Sequence, residues 1–336
     1  MRNFGIELFR VVMMLGIVSL HYLGHGGLLD ASSGGDRTLL WLVESLGYFS
    51  VNGFVLITGY FQSKGKFKAH KLITLLLQVI FWSLVTYAVA VVAGDAPFSI
   101  VNLVKACFPF LFGGYWFATA YMALYLLSPY LNKLLDALSQ KEQLALTAIF
   151  TALCACPLLG ASLGVKGGYG LLWFIALYLW GAYVGKYPIR LLENNWICGG
   201  MLAVCVGVLW GSQVLPVPAL LRSVLWSYAS LPVLVAAICC FLLFLRIRLP
   251  QRLGRAIGLV SPLTLGVYLV HDGEFIREVL WDGVRSVLTH ETILSHLWLF
   301  PLVVLAVFSA AALAELVRAQ LFRLLRVQKI VERITG

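Results

Sequence analysis

Arg10 and His21 stand eleven residues apart in GIELFRVVMMLGIVSLHYLGHGG, an apolar stretch near the amino terminus. On a helix, eleven steps of 100° return to nearly the same face, about 16 Å along the axis, with Glu7 one turn before Arg10. Histidine titrates near operating pH, so it can take a proton from a hydroxyl as that hydroxyl attacks a carbonyl. Arginine offers a planar set of donors that suits phosphate or carboxylate. Two blander roles stand beside these. Glu7 and Arg10 can form a structural ion pair at the membrane boundary, and a lone His21 can be a hydrogen-bonded interhelical side chain. His25 lies one turn beyond His21, and two such histidines can bind zinc. No carboxylate at matching helical spacing completes that set, so no metal is expected.

A second histidine, His271, follows a late apolar run in SPLTLGVYLVHDGEF. It lies about fifteen residues into its run and His21 about seventeen into its own, which places both at similar depth in the outer half of a membrane. Asp272 either orients a histidine or marks the helix end. The loop FQSKGKFKAHK carries Lys64, Lys66, Lys68 and Lys71 beside His70, a cluster that either holds a phosphorylated donor or anchors topology. Trp116, Phe117, Tyr121 and Tyr125 in GGYWFATAYMALYLLSPYLN form either a substrate wall or ordinary interfacial packing. There is no Walker loop, dinucleotide fingerprint or GxSxG elbow.

The elements that must carry these residues are membrane helices. Of 336 residues, 61% are hydrophobic and only 12% charged, about half the charged share of a soluble domain. The predicted fold class is all-α, a polytopic transmembrane bundle with about ten spans: 5–25, 41–61, 70–93, 110–132, 143–161, 169–186, 196–215, 228–247, 256–275 and 296–317. With the amino terminus inside, 19 lysines and arginines, Arg2 among them, fall on the cytoplasmic side and 6 outside, so both termini are expected in the cytoplasm of a multi-pass cell-membrane protein. Residues 1–317 form one membrane domain and 318–336 a short basic tail. The first run is long and lacks a small-x-small cleavage site, so it reads as a retained span.

The net charge of +10 lies mostly between apolar runs, where basic residues orient a membrane protein, and gives no reason to expect nucleic acid. The seven cysteines contain no CxxC pair and read as packing residues. Gly181 and Gly185 offer a small-xxx-small surface for close helix packing. The outer connection 276–295, with Arg277, Glu278, Asp282, Arg285, His290 and Glu291, is either a solvated loop or an acceptor surface.

Taken together, the Arg10 and His21 spacing, with Glu7 in an ExxR-like position, resembles the acyltransferase 3 family of integral membrane acyltransferases. VNGFVLITGYF, with Thr58, Gly59 and Tyr60, resembles its second-helix element. YWFATAYMALYLLSPYL resembles its fourth span, and GVYLVH, with Tyr268 and His271, its late tyrosine and histidine element. The family's basic loop maps onto Lys68 and Lys71, where lysine keeps the charge but loses bidentate geometry. The resemblance implies transfer of an acyl group, usually acetyl from cytoplasmic acetyl-CoA, to a hydroxyl of a cell-surface polysaccharide or other envelope acceptor. His21 would be base or proton relay, with Arg10 and Glu7 beside it. Lys68, Lys71 and Arg10 would hold the donor, and His271, Tyr268, Trp116, Tyr121 and Tyr60 would line the acyl or acceptor cavity. Acyl-CoA would act as substrate with no permanently bound cofactor, and the partners would be an envelope or lipid-linked glycan and membrane lipids. The competing reading is a transporter or flippase of a lipid-linked glycan or small molecule.

Overall fold

The protein is described here by a computed structural model covering residues 3–335; Arg2 of the inside set, Met1 and Gly336 lie outside the described residues. Among the described residues the chain is helical and contains no strand, as the long apolar runs predict. Six stretches are long and apolar enough to cross a membrane: Phe4–Leu23 (α1), Gly34–Gln62, Ala69–Ala93 (α2), Asn195–Val214, Gln251–His271 and Leu299–Leu324. Leu171–Lys186 and Leu231–Arg246 are equally apolar but span 16 residues each, just under the roughly 17 a crossing helix needs. The runs at 110–132 and 143–161 become the helices Trp116–Ala137 and Gln140–Ala155.

The late histidine-bearing run is not one smooth helix. Gln251–Val260 passes through a 3-10 turn at Ser261–Leu263 into Thr264–His271. Pro262 has no amide proton to continue an α-helical ladder, and the Thr264 hydroxyl instead donates to the Ser261 carbonyl at 2.9 Å. The helix ends at His271, so Asp272 is its cap residue, with an amide that donates to Tyr268 O. The boundary drawn at 317 falls inside the continuous Leu299–Leu324 helix, where Arg318 is buried against Glu315.

The chain divides into two compact units. The first comprises Met1–Met13, Trp41–Phe67 and Ala120–Gly258. Its centre is Leu171–Lys186, whose residues Trp173 to Leu179 are all buried, as expected of a helix apolar on every face. Gly59 and Gly181 let this helix touch Ser50–Gln62 backbone to backbone: a Cβ on Gly181 would collide with Leu56 O and Tyr60 N, and one on Gly59 with the backbone of Tyr178. Gly185 faces the Tyr60 ring, so the predicted close-packing pair packs against Ser50–Gln62. Asn52, fully buried, spends both ends of its amide: Nδ2 donates to Tyr228 O at 2.8 Å and Oδ1 accepts from Trp173 Nε1 at 3.1 Å. The Gln140–Ala155 helix opens with a capping box, and the Ser139 hydroxyl and amide hold the Glu142 carboxyl below its usual range.

The second unit comprises Met14–Leu40, Lys68–Thr119 and Leu259–Gly336. Its polar keystone is Glu315, 1% exposed, which accepts from Trp82 Nε1 at 2.7 Å, Gln78 Nε2 at 3.1 Å and both Nε and Nη2 of Arg318. Gly266 passes so close to this carboxylate that a Cβ there would overlap the Glu315 side chain. The small residue is therefore what allows Thr264–His271 to lie against Leu299–Leu324. Tyr22 stacks on Trp281 and Phe300, with ring centroids 5.2 and 5.6 Å apart.

Candidate active site

His21 sits in the last turn of α1 and His25 in the turn that follows it, with ring centroids 5.2 Å apart. The chain then turns sharply through Gly27, whose φ of 73° suits glycine. His290 Nε2 donates to Gly26 O at 2.8 Å and pins that turn. Thr264–His271 brings the second histidine to the same place: His21 Nδ1 and His271 Nε2 are 2.9 Å apart. His271 Nδ1 lies 2.6 Å from the carbonyl of Val267, one turn earlier in its own helix. His271 is fully buried, whereas the His21 side chain keeps 18% of its surface exposed.

Asp272 completes the cluster. Its Oδ1 is 3.6 Å from His21 Nδ1, 3.6 Å from His25 Nε2 and 2.9 Å from Arg277 Nε. Arg277 also donates through Nη2 to the Asp272 carbonyl at 3.3 Å. A carboxylate only 3% exposed needs a compensating cation, and this guanidinium supplies it. The segment is held from behind by Tyr115, whose hydroxyl donates to Leu269 O at 2.9 Å and sits where a side chain on Gly273 would go. Tyr268 packs edge-on against Tyr115 and Phe117 at 6.0 and 5.9 Å.

The ligand atoms of His21, His25 and Asp272 all lie within 4.8 Å of one another, a spacing a divalent cation could use. The carboxylate that the helical spacing could not provide arrives from the far end of the chain. Arg277 pairs with the same Oδ1, so the protein itself supplies one positive charge at this point.

The other predicted residues divide between the units. In the second, Trp116 packs on Phe117, and Lys68 and Lys71 are exposed at the start of α2. In the first, Arg10 Nη1 pairs with Glu7 at 3.4 Å, and Tyr121 lies beside Thr58 and Arg10. Tyr60 packs on Phe241 under the Lys64 ammonium, 4.8 Å above its ring. Sequence reasoning placed Arg277 on a loop and did not single out Tyr115. The signal available for Arg277 was a basic residue five positions after Asp272, beyond a helix end.

Within a chain whose long apolar helices fit the bilayer, a partly exposed histidine is thus backed by a buried histidine and an arginine-paired carboxylate. The profile of an acyltransferase domain, that of the acyltransferase 3 family, matches residues 3–315, and the chain belongs to this family of acyltransferases. No curated protein and no solved structure matches it.

Proposed function

We propose that this chain is a membrane O-acyltransferase that moves a short acyl group, acetyl first among candidates, from cytoplasmic acyl-CoA to a hydroxyl of an envelope glycan. The observation that carries the reading is the His21, His271 and Asp272 cluster in a chain of this family. The acceptor hydroxyl attacks the thioester carbonyl carbon as His21 takes its proton. The tetrahedral intermediate then collapses, the carbon–sulfur bond breaks, and the departing thiolate receives the proton from His21. Holding both reactants at one histidine replaces an encounter in solution with a positioned reaction. The basic bias between apolar runs supports cytoplasmic termini. The two shorter apolar helices bring the six long stretches to eight, and Trp116–Ala137 and Gln140–Ala155 would make up a bundle of about ten spans. Exposed Lys68 and Lys71 would attract the donor phosphates, and Arg10 would be a further donor contact by the family resemblance. Tyr268, Trp116, Tyr121 and Tyr60 would shape the apolar surroundings of the acyl or acceptor groups.

The test is transfer of radiolabel from acetyl-CoA and a panel of short acyl-CoAs to envelope fractions by protein in lipid nanodiscs. Label should enter a glycan fraction with wild type and not with His21→Ala of normal folding. Movement of a lipid-linked glycan that persists without donor and in His21→Ala would instead identify a transporter.

A further inference from the structure

The hydrogen bond behind His271 decides more than the position of a ring. A backbone carbonyl only accepts, so in the 2.6 Å contact with Val267 O it is His271 Nδ1 that carries a proton. A neutral His271 then presents Nε2 as a bare acceptor. The atom facing it at 2.9 Å is His21 Nδ1, which must be the donor. One proton per neutral ring leaves His21 Nε2 unprotonated.

We propose that His271 is a positioning residue that fixes the tautomer of His21, making Nε2 the atom that accepts the substrate proton. The inference rests on the acyltransferase reading and adds which nitrogen acts and what selects it. Complete burial of His271 suits this role, because it leaves no surface for acceptor or donor. His21 keeps the partial exposure a substrate hydroxyl requires. When Nε2 takes the proton, His21 becomes an imidazolium with both nitrogens protonated; when the thiolate leaves, the same proton passes to sulfur and the neutral tautomer returns. The charge formed in between lies 3.6 Å from Asp272 Oδ1, and the other charged or titratable groups around that carboxylate are Arg277, His25, His271, Tyr115 and Tyr268. Asp272 is thus shared with a permanent cation, while the Nε2 atom of His271 faces His21 Nδ1. The relay is local: Gly266 fits against Glu315 one residue before the carbonyl that starts it, and Tyr115 holds the last turn at Leu269.

The experiment uses full-length protein in nanodiscs, labelled with 15N at histidine, with the His21 resonances assigned by their loss in His21→Ala. The expected wild-type spectrum shows His21 protonated at Nδ1 with an unprotonated signal at Nε2. His271→Leu removes the acceptor, and His21 should then populate both tautomers. In the transfer assay kcat should fall about 100-fold, within the range general-base positioning commands, while KM for acyl-CoA stays within about twofold. His271→Gln, whose amide oxygen can still accept from Nδ1, should recover kcat to within about tenfold of wild type. Thermal unfolding of each variant separates misfolding from loss of the relay. Wild-type His21 protonated at Nε2, or His271→Leu with unchanged kcat, would overturn the proposal. So would a stoichiometric metal in the purified protein whose removal stops transfer, since a cation on these rings would replace the hydrogen bonds. The spectrum reads the tautomer without turnover: the expected tautomer in a protein that transfers no acyl group would retain the relay and reject the acyltransferase reading.

Discussion

Replacing Gly266 by alanine places one methyl group where the Glu315 carboxylate already lies. That carboxylate cannot yield cheaply, because Trp82, Gln78 and Arg318 all donate to it and it is 1% exposed. Overpacking alone costs about 1–3 kcal/mol. If the side chain swings away, Arg318, also buried, loses its counter-charge, and breaking a buried pair costs about 3–5 kcal/mol. The smaller response sets the outcome, so Gly266→Ala is expected to cost about 2–3 kcal/mol. Unfolding by sodium dodecyl sulfate in mixed micelles measures it. In a Glu315→Ala and Arg318→Met background, which removes both the obstacle and the orphaned charge, the same change should cost less than about 1 kcal/mol, giving a coupling near 2 kcal/mol. Equal costs in both backgrounds, or a Gly266→Ala cost below about 0.5 kcal/mol, would refute the account of Gly266 as the residue that admits this ion pair.

Asp272 is buried and Arg277 half-exposed, so the pair should respond asymmetrically: Arg277→Gln strands the carboxylate and costs about 3 kcal/mol, whereas Asp272→Asn lets the guanidinium reach water and costs about 1 kcal/mol, both read by chemical unfolding. Trp173→Phe leaves Asn52 Oδ1 buried without its donor and should cost about 1–3 kcal/mol in the same assay. A Cβ on Gly181 collides with backbone, so Gly181→Ala should destabilise, while Gly207→Ala meets nothing within 4 Å and should stabilise its helix by about 1 kcal/mol.

Composition and apolar runs sufficed to predict an all-helical membrane fold, because that signal is additive along the chain and needs no partner. That His21 and His271 could share one polar locus was likewise available, since each could be counted from the start of its own run. What brings them within 2.9 Å is a lateral contact between distant segments, and residue counting along one helix carries no lateral information. The same limit hid Asp272 as the companion of His25: helical spacing was searched, but the carboxylate sits just past the end of another helix. Glu315, Trp82 and Gln78 escaped notice because each looks ordinary within its own apolar run. The run at 256–275 was drawn as continuous although Pro262 lies within it, and where the ladder resumes depends on the Thr264 hydroxyl reaching Ser261, a side-chain detail below the resolution of hydropathy.

The keystone at Glu315 also bears on the order in which the protein matures. Glu315 and Arg318 are three residues apart, so their helix enters the bilayer as a neutral pair rather than as two separate charges. Trp82 and Gln78 precede it in the chain by more than 200 residues, so their contacts with Glu315 can form only after this helix is made. The arrival of Leu299–Leu324 satisfies them and, through the contact at Gly266, clamps the short helix that ends in His271. A nascent chain that ended before this helix would already hold all three histidines of the cluster, yet would lack the carboxylate against which the His271 helix packs.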